Sequence, residues 1–251
     1  MKHLSESEIR QRISSLDLPV TVLDTVDSTN TLARELLHQG AQPPYLILAE
    51  TQTAGRGRQG HSFFSPQSGL YYSLTLPGDE RTAVSDATLA AAVSLQQSIA
   101  SCAGISCGIK WVNDLYLEER KVAGILCESP RLADGTVPGI IIGIGVNIAQ
   151  EEFPEDLRGK AGSLQCPDLD RNILAADLTE RLLYWCTPGR HKDLMEQYRR
   201  HCFILGRTVS FVRNGITITG TAAGINDSGN LIVDAGETCV LNSGEISLRS
   251  W

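Results

Sequence analysis

The sequence predicts an α+β fold followed by a small all-β module, and three observations carry that reading. Strand-like apolar runs bunch together in the middle of the chain instead of alternating regularly with helices. Leucines recur at helical spacing between Asp170 and Cys202. From about Gly206 onward the chain is short strands and turns only, about 45 residues of them, which suits a small β-barrel or sandwich.

Taken in order, Ser5 with Glu8 three residues on predicts a capped helix from about Ser5 to Leu16. Val20-Thr21-Val22-Leu23 reads as a strand. It leads into Asp27-Ser28-Thr29-Asn30 and a helix marked by Leu32, Leu36 and Leu37, which Gly40 stops. Ser28 or Asp27 serves there as a helix cap, or else the hydroxyl-rich helix start offers donors to a bound polar group. Tyr45 to Ala49 and Leu70 to Leu76 have strand composition, the second ended by Pro77-Gly78. An alanine-rich helix capped near Ser85 runs towards Ala100. Strands follow at Gly108–Trp111, Leu115–Leu117, Lys121–Leu126 and Ile140–Val146, the second and third joined by a charged turn at Glu118-Glu119-Arg120. Leu174, Leu178, Leu182 and Leu183 mark one buried helix face. Pro188-Gly189 separates it from a second helix through Leu194, Met195 and Tyr198. In the last segment, Asn214-Gly215 is a type I′ hairpin signal.

Composition bounds the function. A chain of 251 residues with 42% hydrophobic and 20% charged residues builds a real core. The net charge of −7 argues against a general nucleic-acid binder. Seven cysteines without a Cys-x-x-Cys pair, and five scattered histidines, give no zinc spacing and fit free thiols in a reducing compartment. The N-terminus lacks the apolar stretch of a signal peptide, and the Ile140–Val146 run is too short to span a bilayer. The cytoplasm is the expected setting, with no membrane partner.

Three clusters carry chemistry. Gly55, Gly57 and Gly60 alternate with Arg56 and Arg58, so a backbone that permits close approach is combined with permanent planar cations. This reads as a flexible lid over an anion, or as a solvated loop. The glycine spacing matches a dinucleotide-binding fingerprint, but no helix pattern and no properly spaced acid follow it. No P-loop is present either. The second cluster is Lys110 to Asp114 with Lys121. Asp114 is a candidate Mg²⁺ ligand, though Asn113-Asp114 also suits a turn. Lys121 starts a strand that is apolar on both faces and needs an anionic partner: a ligand, or Glu118, Glu119 or Glu128. In the third cluster, Gly143 and Gly145 precede Val146-Asn147 in a strand, which marks a close approach or a bulge.

In this order, together with Ser28-Thr29-Asn30 before them and Gly244 to Ser250 at the end, these stretches strongly resemble the biotin protein ligase family. The matching residues include Gly55-Arg56-Gly57-Arg58-Gln59-Gly60, Lys110-Trp111-Val112-Asn113-Asp114, Arg120 to Leu126 and Gly143 to Asn147. The resemblance implies a class II synthetase-like mixed sheet over residues 1–204 and an SH3-like β domain over 205–251. It also implies a two-step reaction, in which biotin and MgATP form biotinyl-5′-adenylate and the acyl group passes to a lysine of a biotin carboxyl carrier protein.

By the same resemblance, Ser28, Thr29, Asn30, Gln52, Gly55, Arg56, Arg58, Lys121 and Gly124 would bind biotin. Arg58, Gln59, Gly60, Phe63, Lys110, Asn113 and Asn147 would bind ATP, with Phe63 stacking on the adenine side. Arg56, Arg58, Lys121 and Asp114 would carry catalysis, Asp114 holding Mg²⁺. Val112 stands where the family usually has proline, so Asn113 is expected to be held less rigidly. Gln59 and Phe63 replace a common basic residue and a common tryptophan. There is no room before Val20 for a helix-turn-helix module, so a ligase without DNA binding is expected, with a homodimer through a sheet edge as seen in relatives. A lipoate ligase is the enzymatic rival, but its Arg-Arg and Gly-Gly-Gly-plus-histidine stretches are absent.

Overall fold

Ser5 accepts a hydrogen bond from the Glu8 N–H and starts α1 (Glu6–Arg12), which ends early because Ile13 turns to extended backbone. The computed structural model describes residues 1–14, 17–78, 84–244 and 246–248, so Leu16 lies outside the described residues. β1 (Val20–Val26), α2 (Thr29–His38) and β2 (Tyr45–Gln52) form a βαβ unit whose strands pair in parallel. β3 (Gly69–Pro77) pairs antiparallel with β2. Ser85 is not the cap of α3 (Val84–Ala103), because it sits one residue inside the helix.

β4 (Gly108–Lys110), β5 (Asp114–Leu117), β6 (Arg120–Glu128) and β7 (Gly139–Asn147) complete a seven-stranded sheet in the order β1-β2-β3-β7-β6-β5-β4. Only β1 and β2 run parallel, so the sheet is mixed. The β5–β6 turn is tighter than expected. Arg120 already pairs with Leu117, and Glu118 takes a positive φ of 54°.

The two faces of this sheet differ, and the difference makes the site. On one face, Leu70, Tyr72, Leu74, Ile140, Ile142, Ile144 and Val146 pack beneath α3, α4 (Arg171–Trp185) and α5 (His191–His201). Burying this continuous layer is the main force holding the fold, at about 25 cal/mol per Å² of apolar surface. On the other face, α2 covers only one end, through Ala33, Leu37, Tyr45, Ile47 and Ile141. Alternation along β7 puts Gly143 and Gly145 on the same face as Ile141, so past α2 the sheet is stripped of side chains.

The N-terminal segment is fastened by a buried ion pair. Arg171, 1% exposed, donates to Glu50 at 2.6 Å, to the Lys2 carbonyl and to the Gly69 carbonyl, while the Leu4 N–H donates to Glu50. Burial alone raises the Glu50 carboxyl, but the Leu4 N–H and the Arg171 guanidinium outweigh it and hold the pKa below the ordinary value. A depressed carboxyl contributes stability that is full above the unfolded-chain value of about 4.3 and is lost as acid carries the pH through the folded value. Glu50→Gln is therefore expected to cost roughly 3–5 kcal/mol at neutral pH and to flatten the acid-side fall in thermal melts.

The last part of the chain forms a separate antiparallel sheet. β8 (Thr208–Arg213) and β9 (Ile216–Ile225) meet at Asn214-Gly215, whose φ values of 53° and 76° are those a type I′ turn requires. β10 (Leu231–Asp234), β11 (Thr238–Leu241) and β12 (Ser247–Leu248) complete the order β11-β10-β9-β8-β12. β9 is longer than the sequence pattern suggested, and β11 was not foreseen. Val209, Phe211, Ala222, Leu231 and Val233 join the main core. Arg199 of α5 donates to the Ile225 carbonyl at 2.8 Å and pairs with Asp227 at 2.6 Å, fixing the small sheet to α5.

Candidate active site

The stripped sheet face is the floor of a cavity of about 570 Å³. Its glycines make room for side chains. A Cβ on Gly143 would lie 2.1 Å from Asn30 Oδ1, and one on Gly145 would lie 2.5 Å from the Phe63 ring. β7 pairs in unbroken register with both neighbours, so the glycines mark close approach and no bulge. Gly124, opposite Gly145, extends the floor beneath Phe63 and Lys121.

Lys121 reaches this floor through a β-bulge. The register between β5 and β6 shifts so that Tyr116 pairs with Lys121 while Leu115 pairs with Ala123. Val122 is the extra residue and turns into the core with Ala123. In unbroken alternation Lys121 would share the core face with Ala123; the bulge re-aims it onto the cavity face. Its partner is none of the glutamates considered from sequence. Nζ lies 2.7 Å from Asp114 Oδ1, and Lys121 remains about a third exposed.

Ser28, Thr29, Asn30 and Gln52 line one end of the cavity, the last three joined in one hydrogen-bond network through Ser73. Ser28 occupies the N-cap position of α2 and is 2% exposed, yet its side chain makes no capping bond, so the expected cap role fails. Thr29 donates both its N–H and its hydroxyl to Gln52 Oε1, at 2.9 and 3.2 Å. This orients the Gln52 amide, whose Nε2 donates to Ser65 Oγ at 2.9 Å. Asn30 Oδ1 accepts from Ser73, and its Nδ2 donates to the Leu126 carbonyl and to Glu128.

Cations crowd the opposite end. Arg58, Lys110 and Lys121 line the cavity there, with Asp114 among them, while Arg56 lies towards the α2 end, bonded to Glu128. The glycine–arginine stretch folds as a hairpin over it. Arg56 bridges Ser62, the Gly57 N–H donates to the His61 carbonyl, and the Phe63 N–H donates to the Gly55 carbonyl. One 3₁₀ turn, Arg58–Gly60, forms its tip, and no helix opens from it. Arg58 donates to Asn113 Oδ1 at 3.0 Å, joining the hairpin to the far wall. Asn113 also donates to the Ile125 carbonyl at 2.8 Å, and its own carbonyl accepts from the Ile125 N–H. With Val112 in place of proline, Asn113 is thus still tied on three sides.

Four expected contacts fall outside the cavity wall. Asn147 is 4% exposed and spends its amide on the Gly162 carbonyl and on Gln150, so it braces the loop behind the site. Gly55 is packed against the Phe63 carbonyl, Ser65 and Gln52. Gln59 and Gly60 point outward from the hairpin tip, both exposed. Phe63 does line the cavity, its ring resting on the glycine floor at Gly145 and Gly124.

Sequence reading missed other walls. Asp156, Leu157 and Lys160 line the cavity from the loop after β7, where the Lys121 N–H donates to the Lys160 carbonyl at 2.9 Å. Gly244, Ile246 and Ser247 line it from the small sheet. Glu245, Arg249 and Ser250, expected from the family's ending, lie outside the described residues. Lys160 follows Arg158-Gly159 as an isolated basic pair, a weak signal; nothing in the terminal segment signalled a cavity wall.

A glycine floor with a polar end, a cationic end and an arginine-bearing hairpin above it defines an acyl-activating site. The chain belongs to the biotin/lipoate A/B protein ligase family, whose model matches residues 22–147, and residues 204–249 match the biotin protein ligase C-terminal domain. Among its relatives is the bifunctional ligase/repressor BirA of Bacillus spizizenii, 33% identical over 93% of this chain and 75% of the relative. The biotin–[acetyl-CoA-carboxylase] ligase of Mycobacterium tuberculosis is 28% identical over 97% of this chain and 95% of its own length. The solved structure of the Aquifex aeolicus biotin protein ligase with biotin and ATP superposes with a TM-score of 0.79 at 28% identity, covering 92% of this chain and 98% of that one.

Proposed function

We propose that the protein activates biotin with ATP to biotinyl-5′-adenylate and transfers the biotinyl group to a lysine of a biotin carboxyl carrier protein. The observation that carries this reading is the two-ended cavity, polar at the α2 end and cationic at the other, under one hairpin. Residues 1–204 form the catalytic unit and 205–251 the C-terminal domain that adds a wall to it. Ser28, with Thr29 and Asn30 oriented through Gln52 and Ser73, holds the ureido head group.

Arg56, Arg58 and Lys121 neutralise the substrate carboxylate and the α-phosphate, so that attack of one anion on another becomes possible. The charges of Arg58 and Lys121 are aimed before substrate arrives, by the Asn113 bond and by the bulge. Asp114, whose Oδ1 pairs with Lys121 and whose other oxygen stays available, would hold a magnesium ion together with substrate phosphates, and the ion would supply further neutralising charge there. The hairpin and Phe63 keep water from the mixed anhydride.

Incubation with biotin, ATP and magnesium is expected to give biotinyl-adenylate by mass spectrometry and, with a carrier domain, a biotinylated lysine. Lack of adenylate, or preference for lipoate in competition, overturns the reading. Arg58→Gly removes the hairpin's tie to Asn113, so reactive adenylate should escape and label bystander proteins; a variant still selective for the carrier would refute the lid role. Lys160→Met should raise the KM for ATP several-fold and leave that for biotin alone, since Lys160 stands beside Lys121 at the cationic end.

We further propose a reducing, cytoplasmic setting, which seven unpaired cysteines fit, and no membrane or nucleic-acid partner. No helix among the described residues is long and apolar enough to cross a membrane. A homodimer would meet through the β1 edge of the large sheet, since Ile109 at the β4 edge is already bridged by Cys202 and Phe203, and sedimentation with and without biotin tests it.

A further inference from the structure

Glu128, the last residue of β6, has no part in the reading above, yet its side chain is the junction of three elements. Arg56 of the hairpin donates to Oε2 at 3.0 Å, Asn30 of α2 donates to the same oxygen at 3.0 Å, and Arg34, one turn further along α2, donates to Oε1. The carboxylate is 18% exposed, so these are partly desolvated, charge-assisted bonds of the stronger kind. Two arginines on one carboxylate leave one positive charge in excess at the mouth of the polar end.

We infer that Glu128 is the positioning residue of the biotin half of the site. It fixes the Asn30 amide that faces the head group, and it holds the Arg56 guanidinium by a single bond, leaving the rest of that guanidinium for a ligand carboxylate. Without the Glu128 charge, Arg34 and Arg56 repel one another and Arg56 leaves the cavity mouth. The nucleotide end contains no Glu128 partner, so its binding is unaffected. This inference rests on the ligase reading and deepens it.

The test is the kinetics of adenylate formation in Glu128→Gln and Arg34→Ala. Glutamine keeps the shape but loses the charge and turns an amide donor towards the guanidinia. Expected are a KM for biotin raised about tenfold in Glu128→Gln and about threefold in Arg34→Ala, with the KM for ATP within twofold in both. Combining the two should give less than the product of the single effects, because they remove the same cluster. If Glu128→Gln fails to fold, Arg34→Ala, a helix substitution at a residue about a third exposed, decides alone. Overturning results are a biotin KM within twofold of wild type, equal rises in both KM values, or a lowered biotin KM, which would make Glu128 a competitor for Arg56. A wild-type enzyme that forms no biotinyl-adenylate brings down the ligase reading itself; an active wild type with indifferent variants brings down this inference alone.

Discussion

Gly143→Ala is expected to weaken biotin binding about 100-fold, some 2.7 kcal/mol, while the protein stays folded and still binds ATP. The added methyl group would lie 2.1 Å from Asn30 Oδ1, well inside contact distance. Asn30 cannot yield cheaply. It is 4% exposed and held by Ser73, the Leu126 carbonyl and Glu128. The backbone of β7 cannot yield either, because it is paired on both sides from Gly143 to Ser73 and Leu126. Overpacking of this kind costs about 1–3 kcal/mol of stability, which a domain of this size tolerates. Calorimetric titration with biotin and with ATP, alongside far-UV circular dichroism, checks the result. A biotin affinity within threefold of wild type would show that Asn30 does not shape the head-group end.

Lys121→Met is expected to lower the rate of adenylate formation at least 1000-fold, corresponding to about 4 kcal/mol of transition-state stabilisation. Methionine retains the apolar stem lying across Gly124 and removes only the ammonium. The other cations cannot substitute, since the Arg58 guanidinium is anchored at Asn113 and that of Arg56 at Glu128, each away from the position of the Lys121 ammonium beside Asp114. Transfer from preformed biotinyl-adenylate to the carrier should fall far less, because no triphosphate takes part in that step. Single-turnover assays of the two half-reactions separate the effects; equal losses in both would mean that Lys121 acts on the adenylate's acyl carbon and not on the phosphates.

The contrast between these two residues explains how much of the molecule was legible in its sequence. Gly143 was visible as an anomaly, since a strand of isoleucines has no local reason to contain glycine, and only the long-range neighbour, Asn30, was hidden. Lys121 was visible as a basic residue in an apolar strand, but its direction was not. One extra residue in β6 decides which face it serves, and register between strands is set by pairing that no local pattern encodes. Ser28 shows the reverse error. Its position before a helix is the common capping signal, and the pocket overrode it. Asn147 matched a family motif by sequence yet faces inward, because alternation cannot say how a strand's last residue turns. Elements with strong periodicity, α4 and β3 among them, were read nearly to their ends.

Trp111 lines the cavity, and its indole Nε1 donates to the Gly229 carbonyl, in the turn between β9 and β10, at 2.9 Å. Gly229 in turn lies so close to Leu89 of α3 that a Cβ there would sit 2.6 Å from its Cδ1. The catalytic pocket and the small β domain are therefore not interchangeable parts. A graft of the C-terminal domain from another ligase would have to match both the indole and the leucine at one turn, so successful chimaeras are expected only when that turn and the Lys110–Asp114 segment travel together.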